Sequence, residues 1–165
     1  MWFAVEARDL SFTRTSQFRF ENEAILDATP ERAFEVVATG ENQRMWLKDF
    51  VGFRWTTPAP HGVGAERDVE LKMVSVRERF IAWDPGKRLA FTIHAMTLPF
   101  VGAMVEDMVF EPHGEGKTRF IWKAHYAPRL FMRPFHPILR LVFGELFRTT
   151  TTGLTDYLAT HKTRA

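Results

Sequence analysis

The 165-residue sequence predicts one α+β domain, an antiparallel sheet with a single long helix laid across it. Three features carry this reading. A lone alternating strand is followed by a clear helix start at Thr29-Pro30-Glu31. Short alternating segments separated by Gly- and Pro-rich turns then run from Phe50 to Tyr126. Beyond Pro137 the apolar period changes from two to ~3.6.

Residues 1–16 mix charges with isolated aromatics (Trp2, Phe3, Phe12) and read as an extension, laid on the surface or ordered by a partner; residues 17–165 form the domain. From Gln17 to Leu26, Phe18, Phe20, Ala24 and Leu26 alternate with Arg19, Glu21 and Glu23, the pattern of a half-buried strand. Thr29 then supplies an N-cap hydroxyl, Pro30 the first helical position and Glu31 an acid in the first turn. Ala33, Phe34 and Val37 form the buried stripe of that helix, which stops near Gly40. A second short helix is expected within Glu41–Lys48, turning Met45 and Trp46 inward.

The remaining strands are expected at Phe50–Thr57, Ala65–Met73, Val76–Trp83, Leu89–Thr97, Met104–Glu111 and Lys117–Tyr126, giving a seven-stranded sheet. Turns at 58–62, 84–87 and 112–116 are too short for parallel crossovers, which need about a dozen residues, so neighbours pair antiparallel. From Ile138 to His161 the apolar residues fall at helical spacing, through Leu139, Phe143, Phe147, Leu154 and Leu158. At ~1.5 Å per residue such a helix spans ~30 Å, about a domain diameter, and so must lie across the sheet.

Composition narrows the function. Sixteen Phe and five Trp stand against two Tyr, so the interior either packs tightly on itself or walls something apolar. With no cysteine there is no disulfide framework, thiol nucleophile or cysteine-based metal centre, which fits a reducing compartment. The longest apolar run, Leu98–Val105, is far short of the ~20 residues that span a bilayer. The first ten residues lack a basic region and contain Glu6 and Asp9, unlike a signal peptide, so a cytoplasmic location is expected. The 22 basic and 20 acidic residues are interleaved, leaving no nucleic-acid footprint. No HExxH, P-loop, GxGxxG or GxSxG pattern appears, so no metal, cofactor or Ser-hydrolase machinery is expected.

Strand parity nominates the inward side chains: Phe20 on the first strand, Val69 and Leu71, Phe80, Phe91 and Ile93, Met108 and Phe110, then Phe120, Trp122 and Tyr126. The helix adds Phe143, Phe147, Thr150 and Leu154, and the small residues Thr149–Gly153 leave room facing the sheet. Three ionisable residues share the inward parity: Arg67, Glu78 and Glu106. Arg67 and Glu78 belong to one hairpin and should pair, because a buried charge needs a partner or a shifted pKa. The pair is read either as a hydrated ion pair at a rim or as a head-group anchor, with Glu78 or Glu106 as a general acid or base. His94 and Asp107 have outward parity and are expected as an exposed cross-strand pair, while His136 stands near the mouth of any pocket. Two apolar connections, Leu98–Met104 and Arg129–Phe135, are expected at one end, as a lid, a homodimer surface, a transient membrane contact or a plug.

The order strand, two short helices, six strands and a long helix resembles the START-like (SRPBCC, Bet v 1-like) helix-grip superfamily. The similarity is carried by Ala24–Phe34, by Gly62–Arg67 and by Ile81–Phe91, and is nearest to the polyketide cyclase/dehydrase and lipid transport group. The resemblance covers about residues 18–160 and implies a strongly curved sheet gripping the helix around a cavity. It implies binding of a hydrophobic small molecule such as a lipid, isoprenoid or polyketide, as a carrier or sensor. A cyclase or dehydratase, and a surface-acting module like the chaperone activators, are the other branches it opens.

Overall fold

Each predicted strand forms, and the chain closes into a helix-grip. The computed structural model describes residues 1–162; Thr163–Ala165, included in the predicted domain, lie outside the described residues. In chain order the elements are β1 (Phe3–Ala4), α1 (Phe12–Thr15), β2 (Phe18–Leu26), α2 (Pro30–Thr39), α3 (Gln43–Trp46), β3 (Phe50–Trp55), β4 (Glu66–Leu71) and β5 (Ser75–Asp84). There follow β6 (Arg88–Met96), β7 (Val101–Pro112), β8 (Thr118–Pro128), a 3-10 helix (Leu130–Phe135) and α4 (His136–Thr160). The sheet runs β2-β8-β7-β6-β5-β4-β3, seven antiparallel strands, with β1 added beside β6. The chain order thus makes a meander whose last strand returns to pair with β2.

Local chemistry places the helices. The Thr29 hydroxyl accepts from the Arg32 amide at 3.3 Å, and Gly40 ends α2 in the left-handed region at φ 73°. One turn later Trp46 is buried and its indole N–H donates to the Glu41 carbonyl at 2.8 Å. Met45, expected beside it, is exposed instead, because consecutive residues of a helix point ~100° apart and a single turn has one buried side. Arg32, Glu41, Asn42 and the Tyr157 hydroxyl join in one hydrogen-bonded network that ties the end of α4 to the α2–α3 junction.

The N-terminal segment is built into the sheet. β6 and β7 pair from Arg88↔Val109 to Thr92↔Val105 and then part. Into that split goes β1, pairing Phe3 with Met96 and Ala4 with Ala95, while the Glu6 amide donates to the Gly102 carbonyl at 2.8 Å. Backbone groups left open by the split need partners, and β1 provides them. Phe12 is buried against Ala103 and Val105, and Ser16 Oγ lies 2.8 Å from His125 Nδ1. The split also explains why His94 does not pair with Asp107: His94 lies beyond the paired stretch and approaches Glu66 at 3.8 Å, whereas Asp107 receives both Arg88 Nε and Nη2, at 2.8 and 3.0 Å.

Gly153 makes room for a helix rather than for empty space. A Cβ on Gly153 would stand 2.5 Å from the Trp46 carbonyl oxygen, a backbone atom. α3 and α4 therefore touch main chain to main chain. Gly153→Ala should force them apart and cost about 1–3 kcal/mol in urea unfolding despite the better helix propensity of Ala. An unchanged or raised midpoint would show that the contact is soft.

Candidate functional site

The concave face of the sheet and α4 do not fill the space between them. A cavity of about 100 Å³ remains. It is lined by Val69 and Leu71 of β4, Phe91 and Ile93 of β6, Met108 of β7, and Phe120 and Trp122 of β8. From α4 come Phe143, Phe147, Thr150 and Leu154. An adjoining vestibule of about 380 Å³ shares Leu71, Val74, Phe143 and Leu146 with it. Leu98 and Phe100 from one apolar connection, and Met132 and Phe135 from the other, wall this vestibule. The two connections do meet at one end of the grip.

Four residues of inward parity stand away from the cavity lining. Phe80 packs against Trp55, Trp83 and Phe91, and Phe110 against Phe34 and Phe120. Phe20 stacks on Tyr126 and Phe147, with ring centroids 5.0 and 5.5 Å apart. The Tyr126 hydroxyl is 2.8 Å from His136 Nε2, so His136 joins the packing at the β2–β8 edge. Parity sets the face of a strand residue; α2, β3 and the start of α4 cover parts of that face and leave no space there.

The ionisable residues come together in the wall. Arg67 Nε donates to Glu78 Oε2 at 2.6 Å across the β4–β5 hairpin, where the two residues are register partners. Both side chains are buried, at 4% and 7% exposure, so this is no hydrated rim pair. Arg67 Nη1 also donates to the Ala38 carbonyl at 3.3 Å, and the guanidinium lies over the rings of Trp55, Phe80 and Phe91. Burial pushes the Glu78 carboxyl up, against the pull of Arg67. Glu106 is buried too, and burial first, then the charge of Glu78, pushes its pKa up to about 8 despite a 3.0 Å hydrogen bond from Trp122 Nε1. At neutral pH Glu106 is thus a neutral acid with a proton to donate. All three residues line the cavity, Arg67 and Glu78 as a locally neutral pair.

One polar lining residue escapes sequence reasoning. Gln43 is buried at 3% exposure, and its side-chain oxygen has no hydrogen-bond partner among the described residues. A polar side chain on a one-turn helix has no periodicity to reveal its direction. Val74, in the β4–β5 turn, and Leu146 are further lining residues outside the parity set.

A curved antiparallel sheet closed on a long helix around an apolar cavity defines the START-like helix-grip class. Solved structures of that shape include a START superfamily protein from Mycobacterium smegmatis (TM-score 0.73, 10% identity, 86% of this chain and 97% of that one). The Zhui aromatase/cyclase of a Streptomyces species is similar at TM-score 0.73 and 12% identity, over 86% and 93% of the two chains. A protein of Thermus thermophilus gives 0.71 and 19%, over 88% and 100%. Residues 17–159 match the family of polyketide cyclase/dehydrase and lipid transport proteins, and the chain belongs to that family. Uncharacterised proteins of Mycobacterium tuberculosis and Mycobacterium bovis are 33% identical over 153 residues, 88% of this chain and 90% of theirs. The fold is one that binds hydrophobic ligands. No helix among the described residues is long and apolar enough to cross a membrane.

Proposed function

We propose that the protein binds a largely apolar small molecule of the lipid, isoprenoid or polyketide class, as a carrier or sensor. Its oxygen-bearing end lies against Glu106, and its apolar remainder fills the vestibule. The observation that carries this reading is an apolar cavity, sharing wall residues with an adjoining apolar vestibule, that holds one neutral acid in its lining. Cavity and vestibule together fit the ~300–1,000 Å³ of small-molecule sites. Glu106 can donate a hydrogen bond to a carbonyl or hydroxyl, while the Arg67–Glu78 pair adds no net charge to attract an ionic group.

Leu146 stands at the neck between the two spaces. Leu146→Trp should weaken a fluorescent fatty-alcohol probe by at least ~10-fold, the equivalent of ~1.4 kcal/mol. Native mass spectrometry of the protein recovered from cell extract should show a bound small molecule that this variant lacks. A wild-type protein that carries nothing, and a probe indifferent to the substitution, would sink the reading.

The position of Glu106 favours a second reading, that of a cyclase or dehydratase. A carboxylic acid with a pKa near the working pH is suited to protonate a substrate carbonyl oxygen or a departing hydroxyl. In that case Glu106→Gln would keep the probe bound and abolish turnover of a polyketide substrate.

A further inference from the structure

The mouth of the vestibule carries an apolar surface that the domain itself leaves uncovered. Leu130, Phe131, Phe135, Ile138, Leu141 and Val142 are each more than half exposed to water. They follow one another along the 3-10 helix and the first two turns of α4. Phe135, Ile138 and Val142 also wall the vestibule, so patch and mouth are one surface. Across the opening stands Met73, at 74% exposure in the β4–β5 turn. Clustered apolar exposure of this kind marks a surface that meets something.

Charge decides among the partners. From Arg129 to Gly144 the chain holds three arginines and no acid. Arg133 and Arg140 are exposed, while Arg129 is held by the Ala4 and Val101 carbonyls. Lys48 and Lys72 stand on the facing rim, their side chains 49% and 71% exposed. The acids of the mouth are already engaged: Asp49 lies 3.4 Å from Lys72 and 4.0 Å from Lys48, and Glu145 lies 2.6 Å from Arg148. A two-fold dimer through this patch would place the arginines of both copies in one interface whose acids, Asp49 and Glu145, already have basic partners of their own. An anionic bilayer satisfies both halves of the surface, taking the apolar side chains below the head groups and the cations among them.

We propose that the mouth, formed by the 3-10 helix, the start of α4 and the β4–β5 turn, docks on the surface of an anionic lipid bilayer. Docking would let an apolar molecule pass between bilayer and vestibule without crossing water. It extends the cavity reading by saying where the ligand enters, and its test is independent of that reading.

The full chain is floated with phosphatidylcholine vesicles with and without phosphatidylserine. The wild type should float with the phosphatidylserine vesicles, less with pure phosphatidylcholine, and less again as salt is raised. Phe131→Ser/Phe135→Ser should cut flotation at least ~10-fold with both compositions, since inserted apolar area drives it. Arg133→Glu/Arg140→Glu should erase the preference for phosphatidylserine. These side chains are exposed, so thermal unfolding should match wild type and separate docking from misfolding. Leu146→Trp should float normally, which isolates a failure of the cavity reading from a failure of docking. The proposal is overturned if the wild type floats with neither vesicle, or if the Phe131→Ser/Phe135→Ser protein floats as well as wild type. A wild-type dimer that this double variant splits, with no flotation, would assign the patch to a second copy instead.

Discussion

Arg67→Met should destabilise the domain by about 3–5 kcal/mol at pH 7, the loss expected when one partner of a buried ion pair is removed. The magnitude follows from the surroundings of Glu78. Its carboxylate faces Arg67 at 2.6 Å inside an apolar wall, and no other side chain among the described residues donates a hydrogen bond to it. Without the guanidinium it must stay ionised in that wall or take a proton. Burial already pushes its pKa up, so protonation is the easier escape. The destabilisation should therefore shrink in acid and grow toward pH 8. Replacing both partners, as Arg67→Met/Glu78→Leu, should recover most of the loss, because two apolar side chains need no partner there. Urea unfolding of the single and double variants at two pH values measures all of this. A single variant within ~1 kcal/mol of wild type at pH 8 would mean that water reaches the pair.

The second large effect is a stability that falls with rising pH. Glu106 titrates near 4.5 in an unfolded chain and about 8 in the folded one. Below the lower value both states hold the proton, and the stabilisation is fully present. Between the two values the folded state binds more protons than the unfolded state, so stability drops as pH rises until the folded carboxyl ionises. At ~1.4 kcal/mol per pH unit the window is worth on the order of 4–5 kcal/mol. Glu106→Gln keeps an acceptor for Trp122 Nε1 and removes the titration. Its stability should be flatter from pH 5 to 8 and exceed that of wild type at the alkaline end. Parallel pH profiles for variant and wild type would place the ionisation elsewhere. If the bound molecule accepts a hydrogen bond from Glu106, its affinity should fall over the same alkaline limb.

How much of this was legible in the sequence differs by element. Phe18–Leu26 and Arg88–Met96 show their strand character in alternation or apolar content alone, and Thr29, Pro30 and Gly40 mark the limits of α2 without reference to the rest of the molecule. The inward parity of Arg67, Glu78 and Glu106 was equally local, and so was the pairing of the first two, since a tight hairpin imposes its own register. Three things were not local. The N-terminal segment carries too few alternating residues to announce a strand, and β1 exists because β6 and β7 part beyond Thr92. Gly153 looks like a weak spot in a helix until Trp46 of α3 is brought against it. Gln43 lies on too short a helix for any period to show its direction.

Sixteen Phe against two Tyr could not separate a filled core from a walled cavity. By itself the sequence determined the seven main strands, the helices α2 and α4, the antiparallel order and the parity of the inward strand residues, because those depend on neighbours two to four positions away. Only the tertiary structure decided which inward side chains touch one another and which border empty space. Phe80 and Phe110 meet α2, β3 and their aromatic neighbours, while Ile93 and Phe120 border the gap under α4. That choice depends on sheet curvature and on where the helices cross it, a balance of packing among residues far apart in the chain.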